Sequence, residues 1–544
     1  MTAVALAPAT PTVARGGGRL TRTGALLRLA LRRDRVRIPV TVIILVLMVA
    51  STLAAIQSAY PTVVERQQLA ATVGSNTAFL ALLGPALHPE SVGAMATWRI
   101  GAFLALVVGI IGALATVRHT RREEEAGRLE LVGSLRVGRL APLTAGLLAA
   151  LVMVGVASFG VALPLVGQGA LGALAFAFQN LVSGLAGVGI AAVTVQLASV
   201  ARTASSIAVS VLVGTYALRA AADVQDSLSW LSWLSPMGWG QKIDPYGDDR
   251  LGLVLLGVAV LALGAGVGYR IQATRDLGAG LIADRPGPAD APGLRSVQAL
   301  AWRLQGQTLV TWAVPVAAYL LLVGFLLSSV GDIAGDSPQV QQIIEQLGGA
   351  GAMQDVFVVT IMGFIALAAG AFVVASLSRL HSEETAGRAE LILGRSVPRT
   401  TYLLVNVLVV AAGTVVLLVV GGLAMGVGNG IAAGDWGYTG KVLGAALVQL
   451  PAVLVVVGFM TALYGWVPRL VVLGWALVVW SLVVGQLGAL LDLPSWLQDL
   501  SPFSHTPAYP LDAVAPGPLV VLVAIGVALV VVGVVGFRRR DVVA

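Results

Sequence analysis

Two short charged segments are the part of this sequence whose residue types and spacing could do chemistry. Residues 123–131 read EEEAGRLEL and residues 383–391 read EETAGRAEL, so seven of nine positions are identical at a separation of 260 residues. Carboxylates and guanidinium groups in a fixed order can pair with each other or with a charged partner. Since the sequence shows no convincing His/Asp/Ser constellation, the segments predict a binding role and no catalytic residue.

The overall composition excludes the soluble globular class. The chain has 544 residues, of which 57% are hydrophobic and 11% are charged, and its mean hydropathy is +0.89. Soluble domains carry about 25% charged residues. Charge-free runs long enough to cross about 30 Å of hydrocarbon recur along the chain, which predicts an all-α polytopic membrane protein. The net charge of +7 is then explained by arginines in cytoplasmic loops, and we expect no nucleic-acid partner.

Metal-binding and nucleotide-binding motifs are also missing from the sequence. There is no cysteine, which excludes disulfides, thiol catalysis and cysteine-ligated metals. The four histidines, His88, His119, His381 and His505, are scattered along the chain. The segment GYTGKV at residues 437–442 lacks the Ser or Thr that follows the lysine of a phosphate-binding loop. We therefore expect no metal and no directly bound cofactor.

The apolar runs predict twelve transmembrane helices, about six in each half. They lie at residues 38–56, 100–117, 140–162, 173–199, 204–221, 251–271, 309–330, 356–377, 400–424, 440–465, 468–488 and 517–537. The shortest breaks are ARTAS (201–205), after the fourth span, and WVPR (466–469), after the tenth. Arginines concentrate before the first span, after the second and eighth, in the middle of the chain and at its end. The positive-inside rule therefore predicts that both termini and both charged segments are cytoplasmic.

Further similarity between the halves predicts a duplicated unit. SWLSWLSP at residues 229–236 corresponds to SWLQDLSP at residues 495–502, just before the last span of each half. The predicted domains are a disordered cytoplasmic tail (1–18), a first six-span repeat (19–272), a cytoplasmic linker (273–293) and a second six-span repeat (294–544). Since each repeat would cross the membrane six times, the repeats would be parallel and related by a pseudo-two-fold axis along the membrane normal.

The spans show no group that could use an ion gradient. A proton-coupled carrier needs a buried carboxylate or histidine, and ionisable residues inside spans usually mark such a pathway. Here Arg99 and Arg219 lie near span ends, and the middles of the spans hold essentially no ionisable residue. Uphill transport would therefore need energy from another chain, and the repeated charged segments are where such a chain could bind.

The segment 122–139 is predicted as a short helix along the membrane, with its glutamates facing the cytosol. Gly127, like Gly387 in the second copy, is predicted to mark either a bend or a close approach of the backbone. The two segments resemble the loop between spans two and three of ABC-2-type exporter permeases, in which E-x-x-G-[TR]-x-E-L precedes V-x-R or P-x-R. The first copy matches at Glu124, Gly127, Arg128, Glu130, Leu131, Val137 and Arg139. The second copy matches at Glu384, Gly387, Arg388, Glu390, Leu391, Val397, Pro398 and Arg399. Glu123 and Glu383, which directly precede the two matches, are predicted with them as residues that couple to the ATPase. Gly138 stands in the first copy where Pro398 stands in the second.

In that family the loop carries a coupling helix that docks onto the nucleotide-binding subunit. A fused twelve-span chain resembles the actinobacterial permeases that export polyketide antibiotics and other drugs. The resemblance implies the membrane subunit of an ATP-driven exporter in a bacterial plasma membrane. It also implies two copies of a separate cytoplasmic ABC ATPase, carrying ATP and magnesium, one at each charged segment. Because the spans are uncharged, we expect an amphipathic or hydrophobic substrate.

Two other interpretations are open at this level. A proton-coupled carrier of the major facilitator type would also have six plus six spans, although its G-x-x-x-D-R-x-G-R pattern is absent. A membrane-embedded scaffold or enzyme is the third. The amphipathic segments 24–37 and 294–307 are further predicted as interfacial helices. The alternative is a basic flank that only sets the membrane orientation of the following span. The segment 24–37 fits both interpretations equally, whereas the segment 294–307, which has fewer charges, fits an interfacial helix better.

Overall fold

The structure is a computed structural model that describes residues 18–74, 77–133, 136–276, 278–282, 290, 293–327, 350–395, 397–487 and 495–541. The tail predicted to be disordered, residues 1–18, lies outside these ranges except for its last residue. Within the described residues every regular element is a helix and no strand is present, which confirms the all-α prediction.

The chain divides into two compact units, Met1–Gly287 and Pro288–Ala544. The division falls inside the segment 273–293 that the sequence predicts as a linker. Each unit has its own core of buried aliphatic residues: Val108, Val154 and Val188 lie in the first core and Leu417 and Val456 in the second.

Helices are numbered in chain order. The described part of the first unit contains α1 (Thr23–Arg33), α2 (Arg37–Ala59), α3 (Val63–Gly74), α4 (Thr77–Leu83), α5 (Val92–His119), α6 (Arg121–Glu125), α7 (Arg128–Gly133), α8 (Ala141–Gly160), α9 (Ala170–Leu197), α10 (Ala201–Val224), α11 (Pro236–Ile243) and α12 (Val254–Thr274). The described part of the second unit contains α13 (Val297–Leu327), α14 (Ala350–Thr385), α15 (Arg388–Leu393), α16 (Arg399–Ala433), α17 (Tyr438–Val448), α18 (Leu450–Trp466), α19 (Leu473–Leu487), α20 (Ser495–Gln498) and α21 (Pro516–Arg539).

Eleven helical segments in the described residues are long and apolar enough to cross a membrane, six in the first unit and five in the second. They correspond to eleven of the twelve predicted spans. The span predicted at residues 468–488 is a shorter apolar segment, Pro468–Val484, and residues 488–494 lie outside the described part of the chain. The multi-pass membrane class is confirmed, whereas the count of twelve stays a prediction.

One predicted break is misplaced and the other is correct. The fourth and fifth spans separate at residues 198–200, and ARTAS already belongs to α10. The break is set by distant contacts: Arg121 Nε donates to Ser199 O at 2.8 Å, and the amides of Leu281 and Ile282 bind the carbonyls of residues 196 and 197. A local sequence pattern cannot predict these contacts, because the residues that make them are far apart in the chain. The break at WVPR is where Pro468, which lacks an amide hydrogen, prevents α18 from continuing.

Glycines bring the last helix of each unit against its neighbour. A Cβ at Gly264 of α12 would lie 2.1 Å from the carbonyl oxygen of Gly189 in α9, and a Cβ at Gly465 of α18 would lie 2.1 Å from that of Gly533 in α21. In lipid, where no hydrophobic force drives helices together, such small residues allow backbones to pack closely. These contacts fix the position of α12 and α21, whose ends reach the charged loops.

The segments before the first spans differ between the units. Residues 23–33 form the separate helix α1, which ends at Asp34, a buried residue that pairs with Arg118 and with His119 Nε2, the latter at 2.7 Å. Its location at a membrane surface stays a prediction. The prediction for residues 294–307 is wrong, because α13 runs unbroken from Val297 to Leu327 and contains most of that segment.

Candidate functional site

The charged segments form a bent loop in both units. In the first unit α6 and α7 are separated by Gly127, whose φ of 69° lies in the left-handed region. In the second, α14 continues to Thr385 and Gly387, with a φ of 70°, precedes α15. The single short helix predicted for 122–139 is therefore wrong, since a left-handed residue ends a helix, and the predicted bend at both glycines is confirmed.

Glu124 is held inside the first unit by the residue that follows its last helix. Arg275 Nη2 donates to both carboxylate oxygens of Glu124, at 3.0 and 2.9 Å. The backbone amide of Gly278 donates to Oε1 at 2.6 Å, and Arg121 Nη1 lies 2.9 Å from Oε2. The side chain of Glu124 is only 8% exposed. These charge-assisted bonds tie the loop to the end of α12.

Glu384 makes the corresponding contact in the second unit. Arg540 Nη1 donates to Oε1 at 2.7 Å and Arg540 Nη2 donates to Oε2 at 2.9 Å, which is a bidentate pair. The Glu384 side chain is 4% exposed. Arg540 directly follows α21, and its guanidinium also lies 5.4 Å from the centroid of the Tyr464 ring. The same part of the loop is thus tied to the end of the last helix in both units.

The preceding glutamates bind the arginine across each bend. Arg128 Nε and Nη2 donate to the two oxygens of Glu123, each at 2.8 Å, and Arg33 Nη1 donates to Oε2 at 2.7 Å. In the second unit Arg388 Nε donates to Glu383. The hydrogen bond to Glu123 and the charge of that carboxylate raise the pKa of Arg128. These pairs hold the two arms of each bend together.

The arginine after each loop also reaches the end of the last helix. Arg139 Nη2 donates to the carbonyl oxygen of Arg275 at 3.0 Å, and Arg399 Nη1 donates to that of Arg540 at 2.7 Å. Arg275 and Arg540 are therefore each held twice, through the side chain and through the backbone.

Four of the glutamates predicted to face the cytosol do not present free carboxylates. Glu123, Glu124, Glu383 and Glu384 are bound by arginines of their own unit. Exposed residues lie on both sides of each bend: Arg122 and Glu125 precede the first bend and Thr385 precedes the second. The exposed residues beyond the bends include Arg128, Glu130, Arg388, Glu390 and Leu391. Leu391 is an apolar side chain that is 74% exposed. The side chain of Leu131, its counterpart, lies outside the described residues.

From the sequence alone, Arg275 and Arg540 are interpreted only as cytoplasmic arginines that indicate the orientation of the chain in the membrane. A usable signal was present, since each arginine lies three or four residues after the last predicted span of its half and the two are 265 residues apart, close to the 260-residue offset of the loops. A buried glutamate needs a nearby cation, which could have directed attention to them.

The two loops differ after the bend. Gly138 packs against the N-terminal segment of the chain: a Cβ there would lie 2.3 Å from the carbonyl oxygen of Arg19, and the Gly138 amide donates to Thr21 O at 3.1 Å. Pro398 is exposed and directly precedes α16. The loops are thus equivalent in their ion pairs and different in what covers them. Within the described part of the chain, no group of three His, Asp or Glu side chains could hold a metal.

Known proteins similar to this chain are named as efflux permeases. A family model for the C-terminal domain of the multidrug efflux system permease Rv1217c matches residues 294–538. The multidrug efflux system permease protein Rv1217c of Mycobacterium tuberculosis is 38% identical over 537 residues, which cover 97% of this chain and 96% of the relative. Neither match points to a major facilitator carrier. The chain belongs to the family of multidrug efflux system permeases represented by Rv1217c.

Proposed function

We propose that this chain is the membrane subunit of an ATP-driven exporter that moves amphipathic or hydrophobic, drug-like compounds out of a bacterial cell. The name of its relative, a multidrug efflux system permease, and the apolar spans support this substrate class. The chain itself is a non-enzymatic membrane component. ATP and magnesium would be bound by a separate ABC ATPase, of which two copies would dock, one on each charged loop.

The observation that carries the proposal is the pair of Glu–Arg contacts, Glu124 with Arg275 and Glu384 with Arg540. Each contact joins the loop directly to the end of a membrane helix. A force applied to the loop from the cytosol would therefore be transmitted to α12 or α21 through a short, charge-assisted connection. A loop that served only as a topology signal would not need a buried carboxylate.

The proposed docking surface is the exposed arm of each loop. It combines charged side chains with an apolar one: Glu130 in the first unit, and Glu390 with Leu391 in the second. Exposed carboxylates can form charge-assisted hydrogen bonds with basic side chains of a partner. Arg128 and Arg388 border this arm but are engaged by Glu123 and Glu383.

The proposed topology places both termini and both loops in the cytoplasm, and each unit is proposed to be one copy of a six-span repeat. The equivalent ion pairs at Glu124 and Glu384, the two left-handed glycines and the positive-inside distribution of arginine support it.

The test distinguishes a loss of ATPase docking from a loss of the folded loop. The tagged chain is purified from its native membrane, and Mg-ATP hydrolysis of the complex is measured with and without an amphipathic cation such as rhodamine 6G. We expect co-purifying ATPase activity that the double variant Glu130→Lys/Glu390→Lys abolishes, while the variant chain remains folded and inserted. The matched control is Asp512→Lys, an exposed carboxylate outside the loops.

Transport by the chain alone in liposomes, driven only by a proton gradient, would refute the proposal. If the ATPase activity were unchanged in the double variant, the exposed arms would act only as signals for membrane topology and not as docking sites.

A further inference from the structure

The first unit contains a partly open cavity of about 360 Å³ at the end opposite to its charged loop. Its walls come from the first turns of α5, from α9, from the end of α10 and from α11, at Thr97, Gln179, Asp223 and Gln241. Since α5 runs from this cavity at Val92 to the charged loop after His119, the two sites lie at opposite ends of one helix. The volume suits a small organic molecule.

Gln179 is the residue that marks this cavity as a binding site. Its side chain lines the cavity and the residue is 4% exposed, at a position about 14 Å along α9 from Ala170. Among the described residues the amide has no hydrogen-bond partner, whereas the next residue, Asn180, donates to Phe176 O at 2.8 Å. The amide therefore has donor and acceptor capacity for a ligand that enters the cavity.

The backbone around Gln179 leaves room for its amide. A Cβ at Gly101 of α5 would lie 2.4 Å from Gln179 Nε2, and a Cβ at Gly240 of α11 would lie 3.1 Å from Gln179 Cγ. Glycines on two neighbouring helices thus accommodate the side chain, and any larger residue at position 101 would displace the amide.

The carboxylates around the cavity already have partners. Asp223 accepts from Arg219 Nη1 at 3.1 Å and from Gln241 Nε2 at 3.3 Å. Asp244 lies 3.0 Å from His88 Nε2, and Asp248 pairs with Arg250. The ammonium of Lys242 lies 5.0 Å from the centroid of the Trp233 ring. A cationic ligand would find no unpaired carboxylate here, so a neutral ligand is favoured over a cationic one.

The rest of the wall is apolar and includes Leu83, Pro85, Met95 and Trp98. The indole nitrogen of Trp98 donates to Gly84 O at 2.8 Å, which leaves its ring as an apolar surface. We propose that this cavity binds a neutral amphipathic molecule, whose amide, carbonyl or hydroxyl group hydrogen-bonds Gln179 while its apolar body contacts Met95 and Trp98.

The experiment measures binding to the permease alone, so its outcome does not depend on an ATPase partner. The full chain in lipid nanodiscs is photolabelled with 4-decanamidobenzophenone, a neutral amide, and the labelled peptides are mapped by mass spectrometry. We expect saturable labelling of α5, α9 or α11. Loss of one hydrogen bond in Gln179→Leu should raise the half-saturating concentration about three- to tenfold. Gly101→Ala, which displaces the amide, should raise it as well.

The control is Gln449→Leu, which removes another buried glutamine, in the second unit, and should bind the probe like the wild type. Unchanged labelling in Gln179→Leu, or equal losses in the two glutamine variants, would overturn the proposal. So would equally tight labelling by a decyltrimethylammonium benzophenone. Competition by monoolein would assign the site to a neutral lipid, and competition by chloramphenicol to a drug-like compound. Either result supports the neutral amphipathic class.

Discussion

Arg540 binds both carboxylate oxygens of Glu384, with Nη1–Oε1 and Nη2–Oε2 distances of 2.7 and 2.9 Å. The two residues are 156 positions apart in the sequence. Arg275 and Glu124, 151 positions apart, make the equivalent contact in the first unit. Because the contact recurs while the coverings of the two loops differ, we infer that the tie between the loop and the last helix does not depend on what covers the loop.

Removing Arg540 should destabilise the second unit strongly. Arg540→Ala leaves the carboxylate of Glu384 buried without its cation, and breaking a buried pair in this way costs about 3 kcal/mol. The double variant Glu384→Gln/Arg540→Ala should recover part of the loss, because no charge is left uncompensated. Chemical unfolding of the purified chain in detergent measures both. Arg539→Ala, at an exposed neighbouring arginine, is the control, and an equal effect of the two alanine substitutions would contradict the role of the pair.

The bend of the second loop should require glycine for conformational reasons alone. Gly387 has a φ of 70°, and a Cβ there would contact nothing within 4 Å. Gly387→Ala should therefore cost about 1 kcal/mol of stability, and Gly387→Asn less, since asparagine tolerates this region. Gly363→Ala, at an equally open position inside α14, should be neutral or stabilising. If Gly387→Ala matched Gly363→Ala in unfolding stability, the bend would not depend on the left-handed residue.

The sequence predicted the helical membrane class, eleven of the spans and both bends, because these follow from local hydrophobic length and from glycine. It did not predict the break at residues 198–200, which depends on Arg121 reaching Ser199 O from another helix. The same limit applies to the loops. Glutamates in a charged segment look solvent-exposed until the structure places Arg275 and Arg540 beside them.

The cavity of the first unit was also beyond sequence reasoning. Gln179 lies in an apolar span and resembles any isolated polar residue there. Only the convergence of α5, α9 and α11 shows that it lines a cavity. A polar residue in a span becomes informative when its partners, or their absence, can be counted in three dimensions.

Close packing of α12 against α9 should depend on Gly264. Its replacement by alanine would place a Cβ 2.1 Å from the carbonyl oxygen of Gly189, so the helices must separate, at a cost of about 1–3 kcal/mol. Gly266→Ala, two residues further along the same helix at an exposed position with nothing within 4 Å, is the matched control. The thermal unfolding midpoint in detergent should fall for the first variant only, and a similar fall for both would indicate a general effect of glycine replacement in α12.

The contact between His88 and Asp244 should make stability depend on pH. Burial alone would lower the pKa of His88, but the hydrogen bond and charge of Asp244, 3.0 Å from Nε2, and of Glu90, 3.2 Å from Nδ1, outweigh it, so the pKa is raised. A raised folded-state pKa means that protonation favours the folded state. The stabilisation is fully present below the unfolded pKa of 6.5 and is lost as pH rises through the folded-state pKa.

We therefore expect the difference in unfolding stability between the wild type and His88→Gln to be largest below about pH 6 and to shrink steadily above pH 6.5. Using this difference removes the contribution of other titrating groups that the two proteins share. His505→Gln provides the control, because the ring of His505 contacts the backbone carbonyl of Asp499 rather than a carboxylate, and its difference from the wild type should vary less with pH. A His88→Gln difference that stays constant or grows between pH 5 and 8 would show that the protonated ring does not stabilise the contact between the start of α5 and the segment after α11.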